Sequence, residues 1–430
     1  MADVAAFAEV RLWGARVGGV AELDDGSVVF EYAEEFRRGG YDISPLHLPR
    51  SLAGPVRFAE LARKEAFRGL PGVLADALPD AFGKQVIRAY YTARGEMRKA
   101  LSPVQHLLYV GRRGLGALEF HPPEDPPIRA AEAEALEVAA LVADARRIVA
   151  GDVAVAIPEI YRIGSSAGGM RPKAVVLYNE GTREVRSAFA DPRPGDIPAI
   201  LKFDGVGGDA IRSELGEPRP FNRVEAAYAL MARDAGLDVV EVTVLESEEG
   251  HAHLVIPRFD RPLAQRRLHQ HSLGGLLHVD YNDVGASSYE EYLRTILRLG
   301  MPHAAVLEGY RRMVFNVLAV NQDDHVKNLS FHMDDTGAWS LTPAYDVTFA
   351  KGGQWTRAHQ MRVADRQSGI RRADLVGVGE VFGIRAPGRI VDEVRDATAA
   401  WPAYAARTGV PPDTVDAVRT ALAERAVEVG

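Results

Sequence analysis

The sequence predicts an α+β chain in three parts: an N-terminal domain of strands followed by helices, a small β-rich unit, and a larger helical unit. Three observations carry this. Strand-length apolar runs gather in two places, around residues 10–30 and again around 174–258. Apolar residues recur at helical spacing through most of the second half. Between the two strand clusters lies His121-Pro122-Pro123-Glu124-Asp125-Pro126-Pro127, where each proline removes a backbone donor and restrains its predecessor. The resulting division is 1–125, 126–260 and 261–430.

Taken in order, Val10 and Leu12 alternate with polar residues, and a turn at Asp24-Asp25-Gly26-Ser27 before Val28-Val29-Phe30 makes a β-hairpin. From Arg57 to Arg98 the strand signal fades, and Phe58, Leu61, Leu74 and Leu78 fall near helical spacing. Ala130 to Ala150, rich in Ala, Glu, Leu and Arg, predicts an amphipathic helix. Strands are expected at Ala174–Tyr178, Ala199–Phe203, Val239–Leu245 and His253–Arg258, with one helix at Asn222–Ala235 among them. That is a small, mostly antiparallel sheet carrying one helix. Beyond Leu268 the pattern turns helical, at Glu290–Leu299, Ala304–Ala319 and from Ala386 onward.

Composition narrows the chemistry. The 430 residues hold no cysteine, which removes disulfides, thiolate metal sites and Cys nucleophiles. With 51 Lys+Arg against 59 Asp+Glu the net charge is 51 − 59 = −8, which argues against extensive independent binding to a phosphate backbone. The N-terminus carries Asp3 and Glu9 and lacks the basic and apolar regions of a secretory signal. No window reaches the ~18 uncharged apolar residues of a membrane span, so the expectation is a soluble, cytoplasmic protein.

The densest polar cluster is Asn321-Gln322-Asp323-Asp324-His325-Val326-Lys327-Asn328, where a helical run ends in a loop that returns to an apolar strand. Asp323 and Asn328 have the D-x-x-x-x-N spacing of a phosphotransferase loop. There a carboxylate orients or accepts the proton of a hydroxyl nucleophile, and an amide oxygen binds Mg²⁺. Taken alone, the spacing better suits a polar turn in which Asp caps and Asn takes a left-handed conformation. Downstream, after a hairpin at Asp334-Asp335-Thr336-Gly337, comes Asp346. The order Asp, Asn, hairpin, Asp is that of kinase sites, where the last carboxylate holds Mg²⁺ on the β- and γ-phosphates. Lys327, beside Asn328, is placed to neutralise charge on the transferred group.

Phosphate-binding groups are expected upstream. Gly164-Ser165-Ser166-Ala167-Gly168-Gly169-Met170-Arg171-Pro172-Lys173 lies between strand-like segments, and its glycines let backbone N–H groups approach phosphate oxygens. It is not a Walker A sequence. Lys202 is a charge within an apolar strand, followed by Glu225 on the next helix, the arrangement by which kinases position α- and β-phosphates. The plain alternative is a solvent-facing Lys and Glu. Arg258-Phe259-Asp260-Arg261 matches a hinge, or else a strand end with exposed charges. His325, with no partner spaced for zinc, is assigned a loop-bracing hydrogen bond.

The 321–328 octapeptide resembles the N-x-D-x-H-x-K-N loop of the HipA family, the serine/threonine kinase toxins of bacterial toxin–antitoxin systems. Tyr345-Asp346 is similar to that family's metal-binding segment, Gly164–Lys173 to its phosphate loop, and Arg258–Arg261 to its R-F-D-R. The stretch Phe67–Gly83 resembles the f-x-G-L-P-G-x-x-x-D-x-L-P-D-x-x-G of its N-terminal domain, and Gly111–Leu118 the segment closing it. The pattern departs at Met170-Arg171-Pro172, and no motif stands out after Gly353. The resemblance implies a two-lobed protein-kinase-like fold behind the N-terminal domain, ATP and Mg²⁺ as cofactors, and transfer to Ser or Thr. It further implies autophosphorylation at Ser165 or Ser166, with Ser165 favoured. Finally it implies a DNA-binding, HipB-like antitoxin through which DNA is mainly reached, and a translation factor or aminoacyl-tRNA synthetase as substrate. A small-molecule phosphotransferase and a catalytically idle co-repressor of an antitoxin are the alternatives.

Overall fold

The computed structural model describes residues 4–93, 101–123, 138–149, 171–188, 190–204, 206, 220–247, 250–262, 267–353 and 355–430. In chain order the strands and helices described are β1 (Val4–Leu12), β2 (Ala15–Leu23), β3 (Val28–Tyr32), α1 (Glu34–Gly39), α2 (Gly72–Ala75), α3 (Ala81–Ala93), α4 (Pro103–Val110), β4 (Leu118–His121), α5 (Val138–Val149), β5 (Lys173–Asn179), β6 (Val185–Ser187) and β7 (Asp196–Lys202). They continue with α6 (Phe221–Asp234), β8 (Thr243–Glu246), β9 (Ala252–Pro257), β10 (His269–Ser272), α7 (Leu273–Leu277), α8 (Tyr289–Arg298), α9 (His303–Leu318), β11 (Ser330–Met333) and β12 (Trp339–Leu341), and close with α10 (Arg372–Val381), α11 (Pro387–Ala399), α12 (Trp401–Arg407) and α13 (Pro412–Val429). The architecture is mixed α/β. No helix among the described residues is long and apolar enough to cross a membrane.

Two compact units form, one from residues 1–207, 257–282 and 330–338, the other from 208–256, 283–329 and 339–430. In the first, the expected hairpin belongs to an antiparallel sheet of order β3-β2-β1-β4. Period-2 alternation buries Ala8, Val10 and Leu12 on one face of β1. Helix α4 starts with a capping box, in which Ser102 Oγ accepts from Gln105 N at 3.1 Å and Gln105 Oε1 accepts from Ser102 N at 3.0 Å.

The Phe67–Gly83 stretch proves to be a structural clasp within this unit. Asp76 accepts hydrogen bonds from Ser272 N (2.7 Å), Ser272 Oγ (2.6 Å) and His271 Nδ1 (2.7 Å). A Cβ at Gly72 would stand 2.0 Å from Gly275 O, so only glycine permits that approach. The helical spacing at Phe58 and Leu61 yields just one 3₁₀ turn, Ala59–Leu61. Left-handed φ angles at Arg68 (52°) and Gly69 (86°) interrupt the chain there. The helical pattern expected beyond Leu268 also needs correction, because it opens with strand β10. Backbone partners in β11 (His269↔Met333, His271↔Phe331) decide that segment against its local pattern.

Strands β5, β6 and β7 pair antiparallel in the first unit, as the Ala174 and Ala199 segments predict. In the second, β8 and β9 pair, with Val239 contributing an isolated bridge to Ala344 rather than extending β8. Around them pack α6 and α8 to α13, whose core holds Tyr228, Tyr289, Tyr310, Phe315 and Trp401. Tyr228 on α6 stacks edge-on against Trp401 at 5.4 Å between centroids and donates to Ala319 O at 2.8 Å. That bond fixes the end of α9, from which the polar loop departs.

Candidate active site

Helix α9 stops because Val320 turns left-handed, with φ of 53°. A β-branched residue rarely adopts that conformation, and such strain gathers at functional loops. Asn321 N closes the helix end on Asn316 O at 3.0 Å, and Gln322 N and Ala350 O are joined at 3.0 Å. Within the loop, Asn328 N donates to His325 O at 2.9 Å and Asn328 Nδ2 to Asp323 O at 2.8 Å. The Asn328 amide thus spends its donor on the loop itself, which leaves Oδ1 as the oxygen for a hard cation. Asp323 is half-buried, its side chain 38% exposed, with His325 Nε2 at 3.9 Å. Lys327 is also half-buried.

Asp346 stands at φ 51°, like Val320 in left-handed backbone. Its position is fixed from both sides. Ala344 N donates to Asp238 O at 2.7 Å and Ala350 N to Val320 O at 3.1 Å. The neighbouring Tyr345 Oη donates to Lys327 O at 2.6 Å, so the two acidic segments are tied together. Between them lies a cavity of about 20 Å³, lined by Arg312, Asn316, Asn321, Asp324, Asn328 and Tyr345. That is room for a water or a small cation. Asn321 Oδ1 is buried at its wall with no hydrogen-bond partner among the described residues. Unsatisfied oxygen beside Asn328 is the donor chemistry a hard cation takes.

In the first unit, Lys173 on β5 lies directly opposite Lys202 on β7. Residues in that relation leave the sheet on the same face. Both lysines are buried, 5% and 6% exposed, and Asp80 Oδ2 is 3.7 Å from Lys173 Nζ. Like charges paired in this way are unfavourable unless anions accompany them. Glu225 is buried on α6, in the second unit. Gly164, Ser165, Ser166, Gly168 and Gly169 lie outside the described residues.

The reading of Arg258–Arg261 as exposed charges is overturned. Arg258 and Asp260 are 7% and 1% exposed. Asp260 Oδ2 accepts from Gly116 N (2.8 Å), Arg258 Nη2 (2.6 Å) and Arg261 Nη1 (2.6 Å), while the two arginines donate onward to Gly114 O and Gly116 O. Despite its burial, Asp260 has its pKa held down to about 2 by the two guanidinium charges and these bonds. The segment is a buried ionic lock on the 111–118 stretch.

Sequence reasoning missed His359 and Gln360. They hold Asp324 through His359 Nδ1 (2.9 Å) and Gln360 N (2.7 Å), with Tyr289 Oη as a third donor at 2.9 Å. No local pattern marks them, since a lone histidine in an irregular stretch gains meaning only from its tertiary partner.

Residues 8–121 match the HipA N-terminal domain, and residues 165–424 match the HipA-like C-terminal domain. Several relatives bear the name "Putative kinase". One, from Haemophilus influenzae, is 32% identical over 34% of this chain and 46% of its own length, so the match spans about half of that relative. Another, Y4dM of Sinorhizobium fredii, is 25% identical over 79% of this chain and 76% of its own. Toxin YjjJ of Escherichia coli K12 is 27% identical over 43% of this chain and 38% of its own. Among solved structures, HipA of Shewanella oneidensis MR-1, in a complex with HipB and operator DNA, has a TM-score of 0.68 at 18% identity, covering 97% of this chain and 96% of that one. The fold is therefore shared across both families of elements, and with family matches over most of its length the chain belongs to the HipA family.

Proposed function

We propose that the chain is an ATP-dependent serine/threonine protein kinase, the toxin of a toxin–antitoxin pair. The observation that supports this most is the hydrogen-bonded 321–328 loop, in which Asn328 Nδ2 donates to Asp323 O and Lys327 O accepts from Tyr345 Oη, the neighbour of Asp346, with Asn328 and Tyr345 both lining one small cavity. Asp323 orients the acceptor hydroxyl and receives its proton as the O–P bond forms and the bond from the γ-phosphorus to the bridging oxygen breaks. Asn328 Oδ1 and the Asp346 carboxylate would hold Mg²⁺, which would supply positive charge to offset that on the phosphate oxygens. Lys173 and Lys202 take the nucleotide phosphates, and Glu225 keeps the supporting role that its place after Lys202 in the sequence suggests. The 164–173 loop, with Gly164, Gly168 and Gly169, covers them, and Lys327 offsets charge on the group in transfer.

The family suggests the rest of the reading: a translation-related protein as acceptor, Ser165 or Ser166 as a site of autophosphorylation, and a HipB-like antitoxin that carries the operator contacts. Pure protein incubated with γ-labelled ATP and Mg²⁺, with and without cell lysate, should place label on serine or threonine of itself and of a lysate protein. Label confined to small molecules, or none at all, would overturn the proposal.

A further inference from the structure

Asp323 and its neighbour Asp324 differ sharply in surroundings. Asp324 is 2% exposed and its carboxylate is saturated by Tyr289 Oη, His359 Nδ1 and Gln360 N. The network continues inward: Asn316 Nδ2 donates to Tyr289 Oη at 2.8 Å, and Asn321 Nδ2 donates to Asn316 Oδ1 at 3.0 Å. Burial and the adjacent Asp324 charge push the Tyr289 hydroxyl well above its ordinary pKa, so it stays a donor. His359 is wholly buried, and the carboxylate fixes its proton on Nδ1.

His359 and Gln360 belong to the irregular stretch that follows Asp346. That stretch leaves the site through Ala350, whose backbone is bonded to Val320 and Gln322. It is next tied to the 321–328 loop at Asp324. A buried carboxylate costs several kcal/mol of desolvation unless its partners are well placed, so this anchor holds one geometry and loses much if a partner shifts.

Resting on the phosphotransferase reading, we propose that Asp324 is a positioning residue that clamps the segment after Asp346 onto the catalytic loop, through His359 and the Gln360 amide, and so sets Asp323 and Asp346 in register. Misplacement by about 1 Å at a reacting group is enough to lower turnover on the order of 10²-fold without weakening substrate binding. The clamp therefore acts on kcat rather than on KM.

The test uses the full chain with Asp324→Asn, His359→Asn and His359→Gln. Steady-state phosphoryl transfer is paired with amide hydrogen exchange over residues 347–362. Asn in place of His359 keeps a donor close to the Nδ1 position, whereas Gln carries it further out. Asp324→Asn and His359→Gln should lose about 10- to 100-fold in kcat with KM for ATP within about twofold, and exchange faster over 355–362. His359→Asn should recover most of both. A change in KM alone, equal loss in the two His359 variants, or exchange that rises throughout the unit instead of over 355–362 would overturn the proposal. If the wild type transfers no phosphoryl group while exchange responds as stated, the kinase reading falls and the clamp survives. Active wild type with unaltered exchange in Asp324→Asn sinks the clamp alone.

Discussion

Asp323 and Asp346 are both half-buried acids in the second unit, yet the roles proposed for them ask for different kinetics. Asp323→Asn keeps the shape and removes the proton acceptor, so turnover should fall about 10²- to 10⁴-fold while ATP binding stays nearly intact. Asp346→Asn should weaken Mg²⁺-dependent ATP affinity along with rate, because a metal ligand is lost. Calorimetric ATP titration with and without Mg²⁺, beside initial rates, separates the two. Unchanged turnover in Asp323→Asn would remove it from the mechanism. The polar loop that carries Asp323 was legible because its carboxylates and amides stand at short, ordered spacings in the sequence. His359 was not, because its contribution is a single contact with Asp324 across a long irregular stretch. The burial of the Arg258–Arg261 charges was hidden for the same reason, as their partners Gly114 and Gly116 are remote in sequence.

At the scale of elements, β10, α7 and β11 bring unusual histidines into the first unit. Burial pushes His269 and His278 down to about 3, and His332 down to about 4. His278 Nε2 accepts from Gly72 N at 3.1 Å, a bond that exists only for the neutral ring, and it stacks on His47 at 4.3 Å between centroids. In the unfolded chain these rings take up protons near pH 6.5. Between about pH 6.5 and the depressed folded values the unfolded state therefore binds more protons, and stability falls as pH falls. Urea midpoints of this unit should be level above about pH 7 and decline steadily from 6.5 toward 4. Substituting His278 by Gln should blunt the decline, and a flat profile over that range would contradict it. Local pattern revealed the β2–β3 hairpin and the long helices α8 and α9, whose periodicity is self-contained. It failed at β10, where hydrogen bonds to β11 outweigh local preference.

For the molecule as a whole, the −8 charge and the absence of cysteine say little about where anions bind. The facing pair Lys173 and Lys202 says more. Two buried ammonium groups on one sheet face are favoured by negative charge close by, of which Asp80 is one source, and the unfolded chain, with both lysines in water, has no such requirement. Folding and anion capture are then thermodynamically linked. A polyanion that binds only the folded state stabilises it by about 2.7 kcal/mol at one hundred times its Kd, and each kcal/mol raises the thermal midpoint by about 2–4 °C in a unit of this size. Low-millimolar pyrophosphate, against chloride at matched ionic strength, should raise the midpoint of the wild type and not that of Lys202→Met. Equal shifts in the two proteins would break the link. Where it holds, the nucleotide acts as a folding ligand, and the lifetime of the protein in a cell follows its supply of triphosphate.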